Sequence, residues 1–195
     1  MSVPYRALEF SDLEPGTTCY RSPQPRRRIG MDDPAAAVMT DFRDVQPWTV
    51  RPEATIDEAL KVMKTVHVRM LLVEAPDGAL EGLITARDIN GEKPISLIRA
   101  RGEPRSRILV RDIMVPARRV HALAMREIQR ARVGDIVATL KRLGEQHIIV
   151  TERLEGGPSV CGVFSATEIA RRLRVQFDIM SGARSFAELE QALVR

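Results

Sequence analysis

The chain contains little cysteine, few aromatic residues and no long apolar run. Of its 195 residues, two are Cys, one is Trp and 4% are aromatic. Two cysteines cannot build a disulfide-rich scaffold and fit a reduced, cytoplasmic chain. So few aromatic side chains argue against a surface that stacks nucleobases. No apolar run approaches the roughly 18 residues of a membrane helix, and the first residues lack a secretion-signal pattern. We therefore expect a cytoplasmic protein that does not enter a membrane.

Positive charge is unevenly distributed along the chain. The formal net charge is +4, and 26 of the 30 basic residues are Arg. Between positions 99 and 142, twelve Arg and Lys residues stand against four acidic residues. Three interpretations are open: a solvated face, a field that attracts phosphates to a nearby cleft, or a nucleic-acid surface shared with Arg26–Arg28. No helix-turn-helix or zinc-finger pattern supports the third.

An internal repeat is the most informative feature of the sequence. Thr55 and Glu58 form a capping-box pattern, and apolar residues follow at helical spacing. Then come an apolar strand pattern over 70–73, a turn over 76–78, and a second strand pattern that ends at Ile84. Thr85 opens another helix. This order predicts a helix, a hairpin and a further helix, with an extra strand near 48–50.

The same order returns 77 to 80 residues later. Val133, Ile136, Val137 and Leu140 form an apolar helical stripe that Gly144 ends. The strand pattern over 147–150 matches 70–73, and the stretch 162–168 matches 82–88. We predict an α/β (α+β) fold of two β-α-β-β-α repeats packed face to face with pseudo-twofold symmetry. Such packing creates a cleft lined by strand ends and helix N-termini, where an anion is favoured.

The repeat resembles a tandem pair of cystathionine β-synthase (CBS) domains, often called a Bateman module. The resemblance covers roughly residues 36 to 176. It rests on the segment 38–40, the helix that begins at Thr55, the strand 71–73 and the stretch Gly82 to Asp88. That stretch fits the family's Gly-apolar-x-Thr/Ser-x-x-Asp motif. The resemblance implies a non-catalytic regulatory module that binds an adenosine-containing ligand between the repeats.

The resemblance also implies which residues bind the ligand. In the family, the motif Asp commonly binds ribose hydroxyls and the Thr or Ser binds phosphate. These roles fall on Asp88 and Thr85 in the first repeat and on Ser165 in the second. Glu168 departs from the motif, since its extra methylene displaces the carboxylate by more than about 1 Å. We therefore rank the first site above the second. Further candidates for ligand binding are Arg87, His147 and Thr40.

Each candidate also has a purely structural interpretation. Ser or Thr followed three residues later by an acid is a capping box. For Ser165 and Glu168 this interpretation is the favoured one, whereas for Thr85 and Asp88 the two are close to balanced. His147 fits a helix–strand junction as well as a cleft. The three histidines have no metal-ligand spacing, and we find no catalytic constellation.

These considerations give the following organisation. We expect an N-terminal arm (1–33), repeat 1 (34–92), a connector (93–110), repeat 2 (111–176) and a C-terminal helix (177–195). The expected ligand is AMP, ADP or ATP, with NAD or S-adenosylmethionine less favoured and no catalytic cofactor. Expected partners are a second copy of the chain in a homodimer and a regulated protein. The alternative is a protein- or nucleic-acid-interaction module with vestigial sites that uses 99–142 and Arg26–Arg28. We expect Trp48 to pack under the repeat interface.

Overall fold

Two four-stranded sheets, each covered by helices, form the protein. The structure is a computed structural model that describes residues 16–19 and 29–173. The Arg26–Arg28 run, most of the expected N-terminal arm and the expected C-terminal helix lie outside the described residues. None of the helices in the described part has the length and hydrophobicity to span a bilayer.

The first unit is built on the sheet β2-β3-β4-β5. β2 runs parallel to β3, while β3–β4 and β4–β5 are antiparallel pairs. Its strands are β2 (Thr49–Val50), β3 (Met70–Glu74), β4 (Leu80–Thr85) and β5 (Val115–Pro116). Its helices are α1 (Ile56–Thr65), α2 (Ala86–Asn90), α3 (Glu92–Arg101) and α4 (Val110–Ile113).

The second unit repeats this arrangement with the sheet β1-β8-β7-β6. β6 runs parallel to β7, while β7–β8 and β8–β1 are antiparallel. Its strands are β1 (Thr40–Asp41), β6 (Ala122–Ala124), β7 (His147–Leu154) and β8 (Gly157–Ser165). Its helices are α5 (Met125–Ile128), α6 (Val133–Leu143) and α7 (Ala166–Leu173).

The two units exchange their outer strands. β1 precedes the first unit in the chain but pairs with β8, so that Thr40 faces Val163. β5 precedes the second unit but pairs with β4, so that Val115 faces Leu83. The apolar residues that precede each exchanged strand pack in the same unit as that strand. Val38 is buried in the second core and Ile113 in the first. Each unit therefore needs a segment that lies next to the other unit in sequence.

A third apolar cluster joins the inner faces of the two sheets. It is formed by Leu72 and Leu83 from the first unit and by Ile149 and Val163 from the second. Each residue of the first pair is matched, at the repeat offset, by one of the second pair. The predicted face-to-face packing of two α+β repeats is confirmed.

Helices α1 and α6 show why the two repeats fold alike. In α1, the Glu58 amide donates to Thr55 Oγ1 at 3.2 Å and the Thr55 amide donates to Glu58 Oε2 at 2.8 Å, which confirms the capping box. In α6, the predicted stripe is buried. A left-handed residue follows the end of each helix, His67 at φ 55° after α1 and Gly144 at φ 67° after α6. A left-handed residue at this position is the usual helix stop, and glycine adopts it most readily.

The expectation for Trp48 is wrong. Its side chain is 53% exposed, at the loop that leads into β2. The interface between the units is already filled by the four aliphatic side chains of the third cluster. Trp48 instead borders a cleft described below.

Candidate functional site

Two clefts lie between the units, one beside each repeat motif. The first cleft, a cavity of about 630 Å³, is lined by Thr85 and Asp88 together with residues just before β6 and just after α6. The second cleft, about 330 Å³, is lined by Ser165 and Glu168 together with residues near β1 and before β3. Both volumes fall in the range of roughly 300 to 1,000 Å³ that small-molecule sites occupy. The exchanged strands form part of each cleft, since Val115 lines the first and Thr40 lines the second.

In the first cleft, the motif carboxylate caps helix α2. Asp88 Oδ2 accepts hydrogen bonds from the Thr85 amide at 3.0 Å and from Thr85 Oγ1 at 2.6 Å. The Asp88 amide in turn donates to Thr85 Oγ1 at 3.2 Å. The structural interpretation of this motif is therefore confirmed. It does not exclude ligand binding, because a carboxylate has about four acceptor positions.

A cation holds the other oxygen of the same carboxylate. Lys93 Nζ lies 2.6 Å from Asp88 Oδ1 and also donates to the Ile113 carbonyl at 3.0 Å. The Asp88 side chain is 13% exposed, whereas that of Lys93 is 46% exposed. The Asp88 carboxylate thus has three donors in this structure: the Thr85 amide, the Thr85 hydroxyl and the Lys93 ammonium.

Two arginines without an ion-pair partner line the first cleft, which also contains the carboxylates of Glu92 and Glu145. Arg87 on α2 and Arg119 before β6 both line it, and both are exposed. Within residues 29–173 neither has a hydrogen-bond or ion-pair partner. Guanidinium groups without a carboxylate partner are suited to bind a phosphate in a bidentate manner. The first cleft therefore combines an acceptor for hydroxyl groups with donors for an anion.

The second cleft has a different character. Phe42, Trp48, Met70 and Leu72 give it an aromatic and aliphatic wall. Arg69 is the one Arg or Lys residue that lines it within the described part of the chain. Such a wall suits a planar apolar group better than a polyphosphate.

Glu168 does not form the predicted capping box. Its carboxylate accepts hydrogen bonds from Arg171 at 2.7 and 2.8 Å and from Arg172 at 2.7 Å. Among the described residues no hydrogen bond joins it to Ser165. The physical reason is that the two arginines lie three and four positions along the same helix, where the longer Glu side chain meets them. Hydrogen bonds from Arg171, opposed in part by burial and reinforced by Arg172, hold the pKa of Glu168 below its ordinary value.

His147 lies between the two clefts and lines both. It begins β7, where it pairs with Ser165, just as Met70 pairs with Thr85 in the first unit. Burial, reinforced by the nearby charge of Arg69, lowers the pKa of His147 to about 4, although Asp88 acts in the opposite direction. His147 is therefore a neutral imidazole at physiological pH, able both to donate and to accept one hydrogen bond.

Comparison with known proteins identifies the first repeat. Residues 35–92 match the family model described as the CBS domain. The chain carries a CBS domain. The second unit repeats the same arrangement of strands and helices, which is consistent with a tandem CBS pair, and CBS-domain proteins are typically non-catalytic regulatory modules. A comparison with curated protein sequences finds no significant match.

Solved structures share the fold of this CBS protein. An uncharacterised conserved protein from Pyrococcus horikoshii is 22% identical, with a TM-score of 0.55, over 77% of this chain and 98% of that one. A CBS-domain protein from Thermoplasma acidophilum is 20% identical, with a TM-score of 0.51, over 79% and 76% of the two chains. A protein with CBS domains from Burkholderia ambifaria is 20% identical, with a TM-score of 0.51, over 70% and 89%.

The structure places all seven sequence-predicted site residues at the two clefts between the units. The first cleft holds Thr85, Arg87 and Asp88; the second holds Thr40, Ser165 and Glu168; His147 borders both. Their roles in binding stay predictions. Sequence reasoning did not single out Lys93, Arg119 or the aromatic wall of the second cleft. For Lys93 the available signal is weak, because it lies five residues after Asp88, beyond the break between α2 and α3 at Gly91.

Several arginines of the basic stretch form ion pairs. Ion pairs join Arg101 to Asp112 at 2.9 Å, Arg105 to Asp57 at 3.0 Å and Arg132 to Asp32 at 3.0 Å. Two of these carboxylates belong to segments outside 99–142. The positive charge of the stretch is therefore partly paired with carboxylates.

The buried cysteine, Cys161, does not lie in an environment that activates a thiol. Cys161 is buried on β8, where burial raises the pKa of its thiol. Its Sγ donates to the Val150 carbonyl at 3.5 Å. A raised thiol pKa disfavours the nucleophilic thiolate. In the described part of the chain, no group of three or more His, Cys, Asp or Glu residues is arranged to hold a metal ion.

Proposed function

We propose that this CBS-domain protein is a non-catalytic regulatory module that binds an adenosine-containing nucleotide of the AMP, ADP or ATP class in the first cleft. One observation carries the proposal. The Thr85–Asp88 motif opens into a cleft between the two units, and in that cleft Arg87 and Arg119 have no partner within residues 29–173. Hydroxyl recognition and phosphate recognition are thus offered side by side.

Each part of a nucleotide has a matching group. The Asp88 carboxylate can accept a ribose hydroxyl, because one of its three present donors is the displaceable Lys93 ammonium. The guanidinium groups of Arg87 and Arg119 supply donors for phosphate oxygens. Leu83, Val115 and Val120 provide apolar surface for the base. Dinucleotides such as NAD, and S-adenosylmethionine, share the ribose but place different charge beside it, so we rank them below the adenine nucleotides.

The signal follows from where the cleft lies. Its walls come from both units, and Val115 belongs to an exchanged strand. A ligand that contacts both walls favours the arrangement in which the walls are closer. The change is limited by the difference between the ligand's affinities for the two arrangements. We expect a homodimer and a regulated partner protein to read this change, and light scattering of the purified chain tests the first.

The second cleft is the less favoured nucleotide site. The Glu168 carboxylate accepts as many hydrogen bonds as that of Asp88, but it accepts them from two guanidinium groups of its own helix, which are harder to displace than the Lys93 ammonium. Ser165 and Thr40 still offer hydroxyl groups there. The alternative function, nucleic-acid binding through 99–142, is less favoured because several arginines of that stretch are paired with carboxylates.

The chain offers a closely matched control for testing Asp88. Asp112 also accepts its helix's N-cap amide, from Leu109 at 2.9 Å, and also pairs with a basic side chain, Arg101 at 2.9 Å. Its side chain is 15% exposed, against 13% for Asp88. Asp112 lies outside both clefts. The two carboxylates therefore differ in location rather than in their structural role.

We expect Asp88→Ala and Asp112→Ala to lose a similar free energy of unfolding, about 1 to 2 kcal/mol each. Isothermal titration with AMP should show at least about a tenfold loss of affinity in Asp88→Ala, because a charge-assisted hydrogen bond to the ribose is removed. Asp112→Ala should bind as the wild type does. Equal affinity in all three proteins would remove the first cleft from the proposal.

A further inference from the structure

The ion pair between Lys93 and Asp88 distinguishes the two pseudo-equivalent carboxylates. Asp88 is held by a single ammonium from the next helix, at 2.6 Å. Glu168 is held by two guanidinium groups from its own helix, through three hydrogen bonds. An ammonium on a flexible four-carbon stem is easily moved, whereas paired guanidinium forks are geometrically fixed. The first carboxylate is therefore restrained by a movable charge.

The position of that charge matters for any ligand of the first cleft. Lys93 Nζ occupies Asp88 Oδ1, while the helix cap occupies Oδ2. A hydroxyl group that reaches for the exposed side of the carboxylate meets the ammonium first. The Lys93 side chain is about half exposed and lines the same cleft as Arg87 and Arg119. It has room to turn from the carboxylate toward an anion bound beside it.

We propose that Lys93 sets the preference of the first cleft for a phosphorylated nucleoside over the free nucleoside, by exchanging the Asp88 carboxylate for a phosphate of the ligand. A nucleoside displaces the ammonium from Asp88 and gives it no new partner. A nucleotide displaces it and supplies a phosphate in return, so the loss of one charge-assisted contact is offset by another. Only an unphosphorylated ligand therefore breaks the contact between Lys93 and Asp88 without replacing it. This inference rests on the function proposed above.

The exchange also links the ligand to the strand exchange between the units. Lys93 donates to the Ile113 carbonyl at 3.0 Å, two residues before β5 begins at Val115. When the ammonium turns to a phosphate, this tie to the segment that precedes β5 is released. The Lys93 side chain thus senses the phosphate and also contacts the segment that leads into β5, just before the sequence of the second unit begins.

The test compares two ligands in matched variants. Lys93→Met removes the charge and keeps an unbranched apolar stem; Lys64→Met makes the same change on the exposed last turn of α1, outside both clefts. The affinities for AMP and for adenosine are measured by isothermal titration. In the wild type and in Lys64→Met we expect AMP to bind at least about tenfold more tightly than adenosine.

In Lys93→Met we expect AMP to weaken by about tenfold while adenosine binds as tightly as before or more tightly, so that the preference for AMP falls by about tenfold or more. Lys93→Arg should restore part of it. A preference that is unchanged in Lys93→Met overturns the inference, including the case in which both affinities fall together, which would make Lys93 a structural tie. A wild type that binds neither ligand overturns the proposed function and this inference with it. Binding of AMP by the wild type together with an unchanged ratio in Lys93→Met overturns the inference alone.

Discussion

Replacement of Gly82 by Ala should disrupt the pairing of β5, an exchanged strand, with β4 in the hairpin of the first unit. Gly82 pairs with Pro116 on β5. A Cβ atom at Gly82 would overlap the Val115 carbonyl oxygen and lie 3.1 Å from Pro116 Cα. Both neighbours are backbone atoms, so no side chain can turn away to relieve the overlap. The glycine of the repeat motif is therefore required by the strand exchange rather than by the ligand.

The size of the effect follows from what must move. Real Cβ atoms essentially never approach another atom within 3.0 Å, so β5 has to separate from β4. The two ladder pairs between these strands then weaken, at about 1 kcal/mol for each hydrogen bond lost. Overpacking adds roughly 1 to 3 kcal/mol. We expect Gly82→Ala to lower the free energy of unfolding by about 3 kcal/mol or more.

Two other glycines calibrate this prediction. At Gly162, the equivalent position of the second unit, a Cβ would lie 2.9 Å from the Thr40 carbonyl oxygen and 3.1 Å from the flexible Met39 Sδ. We expect a smaller loss there, about 1 to 2 kcal/mol. At Gly156, in the β7–β8 turn, a Cβ would meet no atom within 4 Å, so Gly156→Ala should stay within about 0.5 kcal/mol of the wild type.

Urea unfolding followed by circular dichroism measures all three variants. With a slope of about 2 kcal/mol per molar urea, the Gly82→Ala midpoint should fall by about 1.5 M or more. The order of stability should be Gly156→Ala, then Gly162→Ala, then Gly82→Ala. A Gly82→Ala midpoint equal to that of Gly156→Ala would refute the account of the exchanged strand.

Two further predictions concern the left-handed residues His67 and Gly144, and the buried His147. His67→Gly should stabilise the protein by about 1 kcal/mol and Gly144→Ala should destabilise it by a similar amount, because both positions have a left-handed backbone that glycine adopts most readily; urea unfolding measures both, and a destabilised His67→Gly would contradict this reasoning. Since the folded pKa of His147 is about 4 and the unfolded value is about 6.5, the unfolded chain alone gains a proton as pH falls from 6.5 to 4. Stability should decline over that window by at most about 3 kcal/mol, because burial and the charge of Arg69 disfavour the imidazolium more than the charge of Asp88 favours it. A His147→Gln variant with the same pH profile as the wild type would rule this out.

Most of the fold could be predicted from local sequence patterns. The apolar stripes of α1 and α6 and the hairpin strands repeat at fixed offsets, and each is determined by residues close in sequence. The strand exchange could not be predicted in this way. β1 and β5 are two residues long, and nothing in so short a segment specifies whether it joins the nearer or the farther sheet.

The errors at the site share a physical cause. Ser165 and Glu168 match a capping box in sequence, but Arg171 and Arg172 compete for the carboxylate and bind it instead. Trp48 was assigned to the core by its type, yet smaller aliphatic residues fill the interface. Side-chain competition of this kind depends on tertiary geometry, which residue spacing alone does not determine.

Thermal unfolding of the wild-type protein with AMP, ADP, ATP, NAD or S-adenosylmethionine, beside a ligand-free sample, tests the central claim most directly. A ligand at a hundred times its dissociation constant stabilises the folded state by about 2.7 kcal/mol, which raises the midpoint by several degrees at this chain length. We expect a selective rise with an adenine nucleotide that Asp88→Ala abolishes and Asp112→Ala retains. No rise with any of the five ligands would contradict the proposal that the first cleft is a nucleotide site.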